Sequence, residues 1–352
     1  MTLAMGVTMA NNPGMTIDQI VDYARLAERL GYESFWLTED NIRDVFVVLD
    51  RVARETERIR IGTGITSIYA RTPTTIALSA STLQNDSGGR FFLALGLGGI
   101  GFVTRGHGAV IDRPIRRMRE AVQIIRTLVR GDRVKFRGEF FTLDDFHLRE
   151  PARAAVPIYI SALNPQMTKL GGEVADGILA NFMTVERCEQ QIKPWLAEGR
   201  ARAGRPGPPP LIGTLALTPA EPGAAEALVP VRKRMAFYGS SPHYHDVLAA
   251  GGYGEHALRI QAAWLAGDPD QAVEQVSPAM AEHFTLAGSR EKLRRQLANY
   301  RRAGIYPVVY PVPRSGRFVE DYASAITCVA ECAREAEKAV TEEARWGRPT
   351  VS

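Results

Sequence analysis

Two adjacent carboxylates, Glu39 and Asp40, follow a short apolar strand candidate at residues 33–38. A carboxyl group at such a strand end can hydrogen-bond a ligand, and burial raises its pKa until it can donate a proton. Neighbouring side chains of a strand point to opposite faces, so these two carboxyls need not share one proton. Acid catalysis is therefore one interpretation, and a solvated turn that caps the next helix is the other.

A second segment could bind an anion. Residues 161–167 read Ser-Ala-Leu-Asn-Pro-Gln-Met and join a strand candidate to a helix candidate. Asn164 can cap that helix, and Pro165 at its first position sacrifices no needed donor. The N–H groups of Gln166 and Met167 would then point outward into the positive potential of a helix start, which favours an anion such as phosphate. An ordinary strand-to-helix connection with a normal cap is the alternative.

Glycines mark two further strand ends. Gly64 lies in the strand candidate 59–65, Gly96 lies near the end of the strand candidate 91–97, and Gly98 and Gly101 follow it. The last three fit the dinucleotide pattern G-x-G-x-x-G, but residues 102–110 are predicted to be a loop, and no strand end carries the acidic residue expected about twenty positions later. The small residues favour close approach of the backbone to a flat ligand over a dinucleotide fold.

The remaining candidates for chemistry are weak. His243 and His245 lack an evident third ligand, so no metal is expected. Cys328 and Cys332 share one helix face and are interpreted as small core residues. With Cys188 they make three cysteines, which cannot form a disulfide framework.

Composition narrows the class of protein. The 352 residues are 45% hydrophobic and 23% charged, as in globular proteins with a substantial core. No apolar run is long enough to span a membrane, and the first residues do not resemble a secretory signal, so a cytoplasmic protein that does not bind membranes is expected. The net charge of +4 comes with only short basic runs, which disfavours nucleic acid and suits a small anionic ligand.

Strand and helix candidates alternate along the whole chain. Eight strand candidates begin near residues 3, 33, 60, 91, 156, 177, 211 and 305, and each is followed by helical sequence. Strict alternation predicts a parallel sheet, and eight repeats favour closure into a (β/α)8 TIM barrel. Residues 1–352 are thus expected to form one domain, with a mostly helical insertion at 219–284.

The chain resembles the luciferase-like superfamily, and within it the branch that uses the deazaflavin coenzyme F420. The similarity extends from residue 16 to about residue 313, and the segment at 62–73 is similar to methylenetetrahydromethanopterin reductases. The stretches that carry it are LGYESFWLTEDNIRDVF at 30–46, GTGITSIYARTP at 62–73, SGGRFFLALGLGG at 87–99, GEFFTLDDFHL and VPIYISALNP within 138–165, Ala-Asp-Gly at 175–177, and FTLAGSREKLRRQLANYRRAGI at 284–305.

The resemblance implies a cofactor site. Relatives carry a non-prolyl cis peptide against the cofactor ring at the end of strand three, so the Gly64–Ile65 bond is expected to be cis. They hold the cofactor phosphate after strand five, and Asn181 is expected to add a polar contact. The implied cofactor-binding residues are Gly64, Ile65, Thr66, Gly96, Gly98, Ser161, Ala162, Leu163, Asn164, Gln166, Met167 and Asn181.

The resemblance also implies a reaction. The expected protein is an F420-dependent oxidoreductase that transfers a hydride to or from a small organic substrate, with Glu39 or Asp40 supplying a proton. Relatives often carry Asp-His in that turn, and this chain has no histidine there. An FMN-dependent monooxygenase and a coenzyme-binding protein without turnover stay as alternatives. A homodimer is expected, with aromatic residues of 219–284 roofing the substrate pocket.

Overall fold

The computed structural model describes residues 2–10, 14–206, 210–314 and 316–346. Its centre is a closed barrel in which all eight neighbouring strand pairs are parallel. The (β/α)8 prediction is therefore confirmed. The barrel strands are β1 (Leu3–Met9), β2 (Tyr32–Leu37), β3 (Arg60–Thr63), β4 (Phe91–Gly96), β5 (Ile158–Ser161), β6 (Gly177–Asn181), β7 (Leu211–Pro219) and β8 (Ile305–Val312).

Eight helices surround the barrel, and their ends follow local capping signals. Thr16 and Gln19 form the predicted capping box at the start of the first helix, and Ser289 caps the seventh. The helices are α1 (Ile17–Arg29), α2 (Val45–Arg54), α3 (Pro73–Asp86), α4 (Pro114–Val129), α5 (Pro165–Val174), α6 (Lys193–Arg202), α7 (Arg290–Arg302) and α8 (Phe318–Trp346). Among the described residues, none of the helices combines the length and apolar character needed to cross a membrane.

The loops hold smaller elements. Thr66–Ser67 is a two-residue strand that pairs with β4. Strands Val134–Arg137 and Thr142–Phe146 form an antiparallel hairpin before β5. The sequence pattern does not predict this hairpin. Most of its side chains are exposed, so its two strands lack the alternation of apolar and polar residues that marks a half-buried strand. The predicted loop at 102–110 is wrong over Phe102–Gly106, which forms a short π-helix anchored by the buried Val103.

Large side chains fill the barrel interior. The rings of Trp36 and Phe92 lie 4.3 Å apart, and those of Trp36 and Tyr159 lie 5.8 Å apart. Val308 and Leu179 complete this cluster. Because the interior is packed, a ligand of the barrel has room only at the mouth formed by the carboxyl ends of the strands.

An insertion joins β7 to α7. Its helices are Leu228–Gly239, His245–Ala250, Gly254–Leu265, Pro269–Glu274 and Pro278–Phe284, with a short helical turn at Pro242–Tyr244. They share a second hydrophobic cluster with Phe182, Leu217 and Tyr310, which lie at or next to the carboxyl ends of β6, β7 and β8. The insertion therefore packs directly on the barrel mouth.

Candidate active site

The Glu39 carboxylate joins the turn after β2 to the segment after β3. It accepts hydrogen bonds from the Thr66 hydroxyl at 2.7 Å, the Ser67 N–H at 2.8 Å and Arg71 Nε at 2.6 Å. Its side chain is only 4% exposed. Both carboxylate oxygens therefore have donors, Thr66 and Ser67 on Oε2 and Arg71 on Oε1. The arrangement links the turn after β2 to the segment after β3. The Thr66 hydroxyl donates to Glu39 and is therefore unavailable to a ligand.

Arg71 extends this connection to helix α2. Its Nη2 donates to Asp44 at 2.7 Å, and its guanidinium lies 4.9 Å from the centre of the Phe46 ring. Asp44 also caps α2 through the backbone N–H groups of Phe46 and Val47. Burial raises the pKa of Asp44, but the hydrogen bonds from Arg71 and from the helix start outweigh it and hold the pKa below its usual value.

The Asp40 carboxyl lies in a different environment from that of Glu39. Partial burial raises the pKa of the Asp40 carboxyl above its ordinary value, and the Glu39 charge adds to the rise. The Ile42 N–H, which donates to Asp40 at 3.1 Å, and the charge of Arg43 oppose it. The turn lines a cavity of about 570 Å³ whose other side includes Phe102 and His107. The Asp40 carboxyl therefore combines a raised pKa with a position beside a cavity.

The end of β3 has the predicted geometry, because the Gly64–Ile65 peptide bond is cis. The Gly64 N–H donates to the Leu37 carbonyl at 2.7 Å, and the Glu39 N–H donates to the Ile65 carbonyl at 3.3 Å. A Cβ added to Gly64 would lie 3.2 Å from Trp36 Cβ and 3.5 Å from Thr8 Oγ1. This Thr8 hydroxyl is buried and has no hydrogen-bond partner among the described residues.

Neighbouring side chains leave no room for a Cβ at two glycines, the last residue of β4 and the residue two positions beyond it. A Cβ on Gly96 would lie 2.6 Å from Ile65 Cδ1, so Ile65 occupies the space that a side chain would need. Gly98 has a φ of +86°, and its Cβ would lie 2.9 Å from Ser67 Cβ. The predicted glycines of the two strand ends therefore meet in one place.

The β5–α5 segment confirms the cap and corrects one detail. Asn164 caps α5, and Pro165 is its first residue, as predicted. The Met167 N–H was expected to point outward, but it donates to Asn164 Oδ1 at 2.9 Å and is unavailable to a ligand. The Ala162 N–H is likewise bonded, to the Leu179 carbonyl at 3.0 Å. Asn164 and Gln166 are exposed, and Ser161 and Leu163 are half-buried.

Arg187 is a candidate that the sequence analysis missed. It is 3% exposed, and its Nη2 donates to the Leu163 carbonyl. Its Nε and Nη1 have no hydrogen-bond partner in the described part of the chain. Burial lowers its pKa, which the charge of Asp246 partly offsets. Leaving guanidinium N–H groups buried and unpaired costs free energy, so an anion beside the Leu163 loop would satisfy them.

The insertion places aromatic and basic side chains at β6 and β8. Asn181 Nδ2 donates to the Tyr244 hydroxyl at 3.3 Å, and burial raises the pKa of Tyr244 to about 12. Half-buried Arg234 lies 5.8 Å from the centre of the Tyr310 ring. Within the described residues Arg234 forms no ion pair with a carboxylate, and the titratable groups nearest to it are tyrosines.

Residues 2–306 match the luciferase-like monooxygenase family. The chain is 31% identical over 310 residues to the 5,10-methylenetetrahydromethanopterin reductase of Archaeoglobus fulgidus. The alignment covers 86% of this chain and 91% of the relative. In three dimensions it resembles the coenzyme F420-dependent tetrahydromethanopterin reductase from Methanopyrus kandleri, with a TM-score of 0.76 and 23% identity over 92% of this chain and 98% of that one.

A flavin enzyme shares the same architecture. The FMN complex of the oxygenating constituent of 3,6-diketocamphane monooxygenase from Pseudomonas putida has a TM-score of 0.67 and 16% identity, over 94% of this chain and 98% of that one. At that identity the likeness concerns the fold alone.

Proposed function

The chain belongs to the luciferase-like monooxygenase family, and from that premise we propose that it is an F420-dependent oxidoreductase. In this proposal the protein moves a hydride between the deazaflavin and an organic small molecule. The similarity to a methylenetetrahydromethanopterin reductase over 86% of the chain supports F420 as the cofactor. When bound, the deazaflavin supplies the hydride chemistry, and the protein supplies binding, orientation and proton delivery.

The observation that carries the cofactor site is the buried Arg187 beside the β5–α5 segment. Two of its guanidinium nitrogens lack partners within the described residues, and a third is fixed to the Leu163 carbonyl. In the proposed complex these N–H groups bind the cofactor phosphate, with the Gln166 N–H at the α5 start as a further donor. Ser161, Ala162, Asn164 and Met167 then shape the loop around the phosphate, and Asn181 adds a polar contact.

The ring site follows from the two glycine-rich strand ends. Gly64 and Ile65 would lie behind the ring, and Gly96 and Gly98 would leave room beside it, since side chains there meet Ile65 and Ser67. Thr66 would contribute through its backbone, because its hydroxyl is bonded to Glu39. With the cofactor bound, these residues would contact the ring and exclude water from it.

The two carboxylates take different roles in this proposal. Asp40 would deliver the proton, because burial raises the pKa of its carboxyl and its turn faces a cavity. Glu39 positions the loop through Thr66, Ser67 and Arg71. In this proposal Asp40 takes the place of the histidine that the turn lacks.

The substrate side is assigned to the insertion. In this proposal residues 1–352 form one domain, and the helical insertion 219–284 covers the substrate pocket. The packing of the insertion on Phe182, Leu217 and Tyr310 supports this assignment. Tyr238 and Tyr244 lie within 6 Å of the Phe182 ring and would contact an organic substrate. Arg234 would bind an anionic or carbonyl oxygen of that substrate, because no carboxylate of the described residues pairs with it.

Cofactor titration tests the proposal. Purified protein is titrated with F420 and with FMN under identical conditions, and ligand fluorescence is followed. Preferential binding of F420 supports the proposal, whereas preferential FMN binding with oxygen uptake would make the FMN-dependent monooxygenase the better assignment. The homodimer remains a prediction, which sedimentation of the same preparation measures directly.

A further inference from the structure

Two thiols and one guanidinium converge on the outer helical layer. Cys328 and Cys332 lie one turn apart on α8, Cys328 half-buried and Cys332 buried. Arg290, the first residue of α7, donates from Nη1 to Cys328 Sγ at 3.5 Å. The Cys332 thiol donates to the Arg290 carbonyl at 3.9 Å. A cation and a second thiol therefore surround a cysteine that solvent can reach.

The surrounding charges favour the Cys328 thiolate. The neighbouring Cys332 thiol and the charge of Arg290 lower the pKa of Cys328 to about 7, although burial and the carboxylates of Glu331 and Glu335 oppose the change. The interaction with Cys328, together with burial, raises the pKa of Cys332. Arg290 is held in place by Glu331 at 3.0 Å and Glu335 at 3.5 Å. The thiolate is the form that reacts with oxidants and electrophiles.

We propose that Cys328 is a redox modification site, at which a hydroperoxide and then a small thiol react in sequence. The Cys328 thiolate attacks the peroxide O–O bond, sulfur is oxidised to the sulfenic acid, and the peroxide is reduced to hydroxide or alkoxide. A low-molecular-weight thiol then attacks the sulfenic sulfur, which forms a mixed disulfide and releases water. The peroxide is the oxidant of the first step, and the small thiol is the reductant of the second.

Cys332 activates Cys328 without closing a disulfide with it. Residues four apart on an α-helix have Cβ atoms about 5–6 Å apart, whereas a disulfide needs about 3.5–4.5 Å. The regular helix therefore keeps the two sulfurs from bonding, and the sulfenic acid stays available to an external thiol. Cys332 is a positioning residue, because its thiol donates to the Arg290 carbonyl and Arg290 in turn donates to the reacting sulfur.

Cys188 provides a control within the same chain. It is fully buried, and burial raises its pKa to about 11. It should stay reduced under conditions that modify Cys328. The site is independent of the cofactor proposal, because none of its groups belongs to the barrel mouth.

The test uses the full-length protein and peptide mass spectrometry. Protein treated with hydrogen peroxide in the presence of dimedone should carry the label on Cys328 and not on Cys188. With glutathione in place of dimedone, Cys328 should carry the mixed disulfide. Labelling of Cys188 to the same extent, or a Cys328–Cys332 disulfide as the main product, would overturn the proposal.

Variants separate activation from simple exposure. The pH profile of iodoacetamide alkylation at Cys328 should have a midpoint near 7. Cys332→Ala and Arg290→Gln should each move the midpoint toward the ordinary thiol value of about 8.5, while Arg290→Lys should restore part of the shift. Circular dichroism checks that each variant is folded. A midpoint that is the same in all four proteins would contradict the roles given to Cys332 and Arg290.

Discussion

Glu39 and Arg71 form an ion pair, with Arg71 Nε 2.6 Å from Glu39 Oε1, although they follow different strands of the barrel. The side chains are 4% and 19% exposed. Because Glu39 also accepts from Thr66 and Ser67, the pair fixes the turn after β2 against the segment after β3. The residue next to Glu39, Asp40, is thereby held at the rim of the cavity.

Glu39→Gln should destabilise the protein. The substitution removes a largely buried charge and leaves the Arg71 guanidinium with only Asp44 as a charged partner. We expect the free energy of unfolding to fall by about 3 kcal/mol, the lower end of the range for a broken buried pair, because Arg71 is partly exposed. Chemical denaturation measures the change, and Asp40→Asn in the same turn is the matched control. A larger loss of stability in the Asp40 variant would contradict the division of roles.

Asp40→Asn should remove activity and leave cofactor binding intact. Loss of a positioned acid typically lowers turnover by about 10²–10⁴-fold. Because burial raises the pKa of Asp40, wild-type turnover in the direction that consumes a proton should fall as pH rises through that pKa. The variant should lack this limb of the pH profile. An unchanged turnover and pH profile in Asp40→Asn would remove Asp40 from the mechanism.

The raised pKa of the Asp40 carboxyl also predicts a pH dependence of folding stability. The pKa of Asp40 is raised in the folded state, so protonation favours folding. Its favourable contribution is present below the unfolded pKa of about 3.9 and is lost as pH rises through the folded pKa. Asp40→Asn should therefore raise the Tm slightly at neutral pH and lose that advantage toward pH 4. Thermal melts of both proteins across this range test the sign.

Gly96→Ala should weaken cofactor binding. The new methyl would lie 2.6 Å from Ile65 Cδ1, so the Ile65 side chain, which lines the proposed ring site, must shift. Overpacking of this kind costs about 1–3 kcal/mol of stability. Gly99→Ala is the control, because no heavy atom lies within 4 Å of the added Cβ. Equal cofactor affinities of the two variants would argue against a ring beside Gly96.

Arg234→Gln should affect the substrate and spare the cofactor. In wild-type enzyme loaded with F420, we expect 4-formylbenzoate to bind more tightly than its neutral methyl ester, because Arg234 lies beside Tyr310 without a carboxylate partner. The substitution should abolish this preference while the affinity for F420 stays the same. Quenching of cofactor fluorescence by the two aldehydes measures it. A preference that survives in the variant would assign the anion site to another residue.

The sequence predicted the barrel well because its signals are local. Strand starts, the Thr16–Gln19 capping box and the Asn164 cap depend on residues within one turn of each other. The Gly64–Ile65 bond was predicted from family resemblance, and no local pattern required it.

The site chemistry was less predictable because it depends on distant partners. The role of Glu39 is set by Thr66, Ser67 and Arg71, which follow another strand. Arg187 looks like a surface residue in the sequence, and only its contact with Leu163, 24 positions earlier, shows that it is buried beside the loop. The Met167 N–H was misassigned because one cap side chain can satisfy only some of the donors at a helix start.

The most direct test of the central claim is a paired titration of wild-type protein, Arg187→Met and Arg187→Lys with F420. We predict that the wild type binds F420 more tightly than FMN. Arg187→Met should bind F420 about tenfold or more weakly than the wild type, which corresponds to about 1.4 kcal/mol. Arg187→Lys should recover part of it, and circular dichroism should show all three proteins folded. Unchanged F420 affinity in Arg187→Met, or tighter binding of FMN than of F420 by the wild type, would contradict it.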